Sequence, residues 1–188
     1  MMRKFLKPLV SSLFSIIARP YNKYLHKSYT FKGSLRARIY THLFSQCGEN
    51  LIINGKPIIF EPEKISVGKN VTINNGAQLS PRGKIILSDY VTMSRGAQII
   101  AGELDMNCWV NEAYKKHIHT QGDVFLGEGT WLCANSIVLP GVKITGKGVV
   151  VAAGAVVTKS FHDDYVVLGG VPAKIVKHLN TLDNDIVR

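Results

Sequence analysis

Cysteine is scarce in this chain: three among 188 residues, an odd number, with Cys47, Cys108 and Cys133 forming no CxxC pair. That argues against a disulfide-stapled secreted scaffold and a thiolate zinc site, and it fits a reducing cytoplasm. Acid is missing from the first 48 residues, which carry nine cations (Arg3, Lys4, Lys7, Arg19, Lys23, Lys27, Lys32, Arg36, Arg38), whereas all 13 Asp and Glu lie downstream among 14 further bases. The formal net charge of +10 is therefore almost wholly N-terminal. Charged residues make up 19% of the chain and apolar ones 46%, enough apolar surface for one domain with a small appendage. No nucleic-acid recognition motif or interleaved aromatic pattern accompanies the basic arm, so nucleic acid is not expected as a partner.

Long apolar runs are also lacking. From Phe5 to Ile17 apolar residues recur at helical spacing, with Lys7, Ser11, Ser12 and Ser15 between them. Such a helix is about 20 Å long, short of the roughly 30 Å needed to span a bilayer. No small-residue cleavage site precedes Arg19-Pro20, which argues against a signal peptide. Two placements stay open for residues 1–20: peripheral contact with an anionic membrane, or packing on the body of the protein or a neighbouring subunit. A second helix is expected over 34–45, with Ser34 as N-cap and Leu35, Ile39 and Leu43 on one face.

What the chain does have is a repeat. The segments VGKNVTINNGAQLS from Val67 and LSDYVTMSRGAQII from Leu87 match one another, and each carries an aliphatic residue at every sixth position: Val67, Ile73, Leu79, then Leu87, Met93, Ile99. The phase resumes at Leu126, Leu132, Val138 and Ile144 and, after a one-residue slip near Gly146, at Val151 and Val157. Small residues follow four places after, as at Val71, Ala77, Thr130 and Ser136. A period of six fits neither a hairpin sandwich nor an α-helix. It predicts an all-β solenoid, a triangular prism of three short strands per turn, with the aliphatic residues inside, small residues near the corners, and Gly, Asn and Asp in the turns.

The motifs VGKNVT, LGEGTWLCANSIVLPGVKIT and VAAGAVVTKS, followed by LGGVPAKIVK, resemble the hexapeptide-repeat acyltransferases from about Gly48 to Lys177, most specifically from Leu126 onward. The resemblance implies a left-handed parallel β-helix with an N-terminal helical segment. The expected organisation is a basic helical arm over 1–48, the β-helix over 49–177 with an excursion loop over 101–122, and a tail over 178–188. It implies an acetyl-CoA-dependent O-acetyltransferase of sugars or polysaccharides, a homotrimer with active sites between subunits, and acetyl-CoA as acyl donor. The basic lead-in resembles that of members serving bacterial surface polysaccharide assembly, which places the protein in the cytoplasm, with the inner membrane face as a peripheral site.

Within the excursion, His117-Ile118-His119 supplies the only nearby histidines. Acetyl transfer to a hydroxyl needs a base for the alcohol proton and then a donor for the departing thiolate, and imidazole suits both. His119 is the favoured base, with His117 as its neighbour or the alternative. Many relatives carry this histidine at the start of the excursion, where this chain has Ala101-Gly102-Glu103-Leu104-Asp105. The plain alternative is that both histidines are solvated loop residues. Glu103, Asp105 and Glu112 are candidates to orient an imidazole. By resemblance, Trp131 and Ala134 lie near the pantetheine and acceptor, Ala153, Thr158 and Lys159 along the pantetheine groove, and Lys174 and Lys177 near the nucleotide phosphates. No metal is expected, since His-x-His supplies two of the three or more ligands zinc requires. Neither Cys108 nor Cys133 shows a sign of activation as a nucleophile. The competing functions are an amino-sugar-nucleotide N-acetyltransferase, and a non-catalytic or metal-binding β-helix scaffold.

Overall fold

A computed structural model describes residues 35–105 and 118–179. Ser34, His117 and residues 1–20 lie outside them. Residues 35–43 form helix α1. Then come β1 (Gln46–Cys47), β2 (Ile52–Ile53), β3 (Ile58–Ile59), a 3-10 turn at Pro62–Lys64, β4 (Ile65–Val67), β5 (Thr72–Ile73), β6 (Gln78–Ser80), β7 (Ile85–Leu87), β8 (Thr92–Met93) and β9 (Gln98–Ile100). An arm contributes β10 (Gly102–Leu104) and β11 (His119–Gln121), after which the coils resume with β12 (Val124–Leu126), β13 (Trp131–Leu132), β14 (Ile137–Val138), β15 (Lys143–Ile144), β16 (Val150–Val151), β17 (Val156–Val157), β18 (Val166–Gly169) and β19 (Lys174–His178).

Three faces result. Face A is β1-β4-β7-β12-β15, face B is β2-β5-β8-β13-β16-β18-β19, and face C is β3-β6-β9-β14-β17. Every pairing within a face is parallel except the closing β18–β19 hairpin. The first strand of the solenoid is Gln46–Cys47, and the last, β19, ends at His178.

The six-residue spacing explains the interior. Val67 sits beside Leu87, Leu87 beside Leu126, and Leu126 beside Ile144, so aliphatic side chains stack from coil to coil in one buried column. The small residues four places on sit at the corners, Val71 directly after Asn70 and Ala77 after Gly76, and they too are buried. Thr130 and Ser136 enter the core because each closes its hydroxyl locally, onto the carbonyls of Gly127 (2.7 Å) and Cys133 (2.8 Å). Pairing Leu132 with Val151 after Leu126 with Ile144 places the one-residue slip between Ile144 and Val151. Gly146 lies in that bend, where a Cβ would come within 2.0 Å of the Asp163 carbonyl oxygen.

Each A–B and B–C corner turns through one residue of positive φ. At the A–B edge these are Asn50, Asn70, Tyr90, Gly129, Gly148 and Tyr165, with φ of 59, 56, 60, 68, 63 and 52°. Asn accepts that region readily, and its amides ladder between coils: Asn50 Nδ2 donates to Asn70 Oδ1 and Asn54 Nδ2 to Asn74 Oδ1, both at 3.0 Å. Tyr90 takes the same conformation at greater steric cost.

Helix α1 covers the first coil. Tyr40 and Phe44 stack at 5.5 Å and join the core, and the Arg36 guanidinium donates to the Gly55 carbonyl. The expected stripe of Leu35, Ile39 and Leu43 faces outward and is exposed.

Leu132→Ala is expected to lower unfolding stability by about 2–5 kcal/mol, because no neighbour in the stacked column can collapse into the space. Tyr90→Asn should raise it by up to about 1 kcal/mol by relieving the corner. Urea unfolding midpoints followed by circular dichroism check both.

Candidate active site

The excursion leaves the prism at the C–A edge, after β9, and returns into β12. Its base is ordered rather than the irregular loop expected: β10 and β11 pair antiparallel, with Gly102 opposite Gln121, Glu103 opposite Thr120, and Leu104 opposite His119. The Asp105 amide continues the ladder onto the Ile118 carbonyl at 2.8 Å. The arm's return is fixed where Gly122 crosses the next coil. A Cβ there would lie 2.5 Å from the Gly141 nitrogen and 2.9 Å from Pro140, so only glycine fits without displacement. Asp123 secures the edge by accepting the Lys84 amide at 2.7 Å.

His119 therefore stands exposed on a short, pinned ribbon. Side chains alternate across a strand pair, so Glu103 shares the face of Thr120 and not that of His119. This disfavours Glu103 as the group that orients the imidazole. His117, Cys108 and Glu112 lie outside the described residues.

Trp131 lies on face B, outward and 47% exposed, flanked by Thr92 and Val150 on the neighbouring strands. Its indole Nε1 donates to Ser94 Oγ at 2.8 Å, which holds the ring along the face toward the B–C edge. Ser94 was not among the residues singled out from sequence. It occupies the same corner one coil below Cys133, a correspondence that the arm between the two coils obscures. At the B–C edge, Ala134 and Ala153 stack in successive coils, with the Gly154 amide donating to the Ala134 carbonyl at 3.0 Å. Nothing lies within 4 Å of where a Gly154 side chain would begin, so this corner is open.

The other candidate positions lie in the closing layers. Lys174 and Lys177 are exposed on β19, opposite Gly169 and Val167. From β13 to β19 there are three strand steps on face B, about 14 Å at about 4.8 Å each. Thr158 and Lys159 follow β17 at the C–A edge, where the Lys159 ammonium lies 5.6 Å from the Phe161 ring centroid. One chain thus groups Trp131, Ala134 and Ala153 along face B and the B–C edge, with the two β19 lysines beyond them. It puts His119, Thr158 and Lys159 on the C–A edge, the corner of the triangle opposite face B. With about six residues per side at about 3.3 Å each, that is a separation far beyond the roughly 3 Å reach of a general base.

Among the described residues, no three His, Cys, Asp or Glu side chains gather into a metal-binding group. His162 is engaged elsewhere, with its Nδ1 2.7 Å from Thr145 Oγ1 at the A–B edge. Burial pushes the thiols of Cys47 and Cys133 up from the usual range, the reverse of what a nucleophile needs. No helix among the described residues is long and apolar enough to cross a membrane.

No family model matches the chain. Its sequence is similar to a galactoside O-acetyltransferase of Lactococcus lactis subsp. lactis (strain IL1403), 45% identical over 60 residues that make up 32% of this chain and 28% of the relative. It is also similar to WbbJ of Escherichia coli (strain K12), provisionally named a lipopolysaccharide biosynthesis O-acetyl transferase, 49% identical over 57 residues, 30% of this chain and 28% of the relative. The chain thus spans less than a third of the length of either relative. Among solved structures, a hexapeptide-repeat containing acetyltransferase of Vibrio cholerae O1 biovar eltor, complexed with acetyl coenzyme A, superposes with a TM-score of 0.71 at 20% identity over 78% of each chain. That likeness concerns the fold: a solenoid of about six turns matching the left-handed β-helix.

With its thiol pushed up by burial, Cys133 is expected to react slowly with iodoacetamide at pH 7. The rate should rise with pH and still be rising at pH 9, as read by mass spectrometry of the alkylated peptide.

Proposed function

We propose that this chain, which has the repeat and the fold of the hexapeptide-repeat acetyltransferases, is an acetyl-CoA-dependent O-acetyltransferase. Its acceptor is a sugar hydroxyl of a glycan or activated sugar in bacterial surface polysaccharide synthesis, and its place of work is the cytoplasm. The observation that carries the reading is the ordered rise of Trp131, Ala134, Ala153 and the β19 lysines through successive coils. The tethered indole offers an apolar face to a thioester arm, the open alanine corner lets a thin pantetheine lie close, and Lys174 and Lys177 supply ammonium charge for phosphates.

The acceptor hydroxyl attacks the thioester carbonyl while His119 takes its proton. The tetrahedral intermediate then collapses, the carbon–sulfur bond breaks, and the imidazolium returns the proton to the departing thiolate. No acyl-enzyme forms, in keeping with the raised thiol of Cys133. Because His119 and Trp131 lie on opposite sides of the prism, the histidine serving one indole comes from a neighbouring copy, together with that copy's Thr158 and Lys159. A homotrimer closes such a head-to-tail arrangement.

Purified protein supplied with acetyl-CoA and a panel of glycan and amino-sugar acceptors should release free CoA thiol in an acceptor-dependent way. His119→Ala should reduce kcat by about 10²–10⁴-fold, the usual contribution of a general base. Loss on His117→Ala instead would move the role to that residue. Trp131→Ala should raise the KM for acetyl-CoA about tenfold, roughly 1.4 kcal/mol of binding. Failure to bind CoA at all would overturn the transferase reading in favour of a scaffold.

A further inference from the structure

A half-exposed tryptophan at an outward strand position has room to turn to either side of its own coil. Trp131 is such a residue, with Thr92 beside it in the coil below and Val150 in the coil above. An indole has one polar hydrogen, on Nε1, and here it is donated at 2.8 Å to Ser94 Oγ. Ser94 lies in the coil below, two residues beyond Thr92, and its own amide donates to the Leu132 carbonyl. The bond therefore draws the ring downward and toward the B–C edge. Ala134, Ala153 and the β19 lysines lie the other way, in the coil of Trp131 or above it. A ring released from Ser94 is free to turn upward over Val150 and crowd the alanine corner.

The repeat supplies its own comparison. The position directly after each face B strand is Asn54, Asn74, Ser94, Cys133 and Ala152 in successive coils. Asn54 Nδ2 donates to Asn74 Oδ1 at 3.0 Å and Asn74 Nδ2 to the Met93 carbonyl at 2.9 Å, so the lower coils use this position to tie coil to coil. Ser94 has no amide to continue that ladder, and its hydroxyl oxygen accepts from the indole instead. One coil above Trp131 the same position is Ala152, whose side chain offers no acceptor, so the side chains at this corner hold the ring down and not up. We propose that Ser94 is a positioning residue for acetyl-CoA: by holding the indole below the Ala134 and Ala153 corner, it keeps the pantetheine path open and makes the ring the lower end of that path. The proposal rests on the acetyl-CoA-dependent reading and deepens it. Ser94 acts through Trp131 and touches no reacting atom, so it bears on donor affinity and not on the chemical step.

The test is a cycle of Ser94→Ala, Trp131→Phe and the double variant, with CoA binding measured by titration calorimetry and acceptor-dependent CoA release by steady-state kinetics. Ser94→Ala should weaken CoA binding and raise the KM for acetyl-CoA about two- to tenfold, the range of one neutral hydrogen bond, with kcat kept within about twofold. Because phenylalanine has no N–H to donate, Ser94→Ala should have no further effect in the Trp131→Phe background. Ser94→Thr, which keeps the hydroxyl, should bind CoA as the wild type does. The chain has two tryptophans, and the indole ¹⁵N–¹H signal missing from Trp131→Phe should move upfield in Ser94→Ala and hold its place in Ser94→Thr. Unchanged thermal midpoints would show that the variants are folded. Should Ser94→Ala misfold, Ser94→Cys, which brings in the weak acceptor that the next coil carries, is read in the same way. CoA binding that Ser94→Ala leaves unchanged, a loss that persists in full in the Trp131→Phe background, or a fall in kcat at constant KM would each overturn the proposal and leave the transferase reading standing. Failure of the wild-type chain itself to bind CoA would overturn both.

Discussion

Stacking of inward aliphatic side chains from one coil to the next, set by a spacing of six residues, is the interaction on which the rest of the molecule depends. It aligns Val67, Leu87, Leu126 and Ile144 in one column. The same register lines up the backbone amides and carbonyls of successive coils so that each bonds to its neighbour. Neither contribution stands alone, because a two-residue strand has too few hydrogen bonds and too little buried area to persist without the coils above and below. The long-range contacts that dominate this fold are repetitions of this one relation.

Once the column is in place, function is confined to what the column does not use. Outward positions on the faces, the corners, and the one interruption of the repeat are free to vary. Trp131 is an outward position, the Ala134 and Ala153 corner is an opened edge, and the arm carrying His119 is the interruption. The arm can leave and re-enter without disturbing the stack because Ile85 still pairs with Val124 across it. Face B and the C–A edge cannot approach one another within a chain, since the filled core lies between them. The scaffold that positions each half of the proposed site so firmly is also what requires a second copy to join the halves.

Legibility from sequence followed the same division. The aliphatic positions named from the six-residue period, from Val67 to Val157, are buried, and the slip lies near Gly146 as the spacing indicated. The orientation of α1 was less accessible: Leu35, Ile39 and Leu43 and the pair Tyr40 and Phe44 both have the four-residue spacing of a buried stripe. Which one turns inward depends on where the first coil ends. The pairing of β10 with β11 joins two segments too short to show a period of two. The bond from Trp131 to Ser94 depends on a register that the arm interrupts. The candidate cofactor positions were read from motif likeness, and their order along the prism follows from the stacking of coils. That they divide between two sides of the triangle required the three-dimensional fold.

The central claim, that one catalytic centre is built from His119 of one copy and Trp131 of another, is tested most directly by mixing two defective chains. His119→Ala chains, and Trp131→Ala chains left with about a tenth of wild-type activity at low acetyl-CoA, would be co-expressed with different tags, and the mixed oligomers isolated and assayed for acceptor-dependent CoA release. If the centre spans two copies of a trimer, every mixed trimer holds one site in three with both residues intact, and activity should rise to about a third of wild type. If mixed oligomers form and show no recovery, the two residues belong to the same chain's site or to no common site, and the account is contradicted.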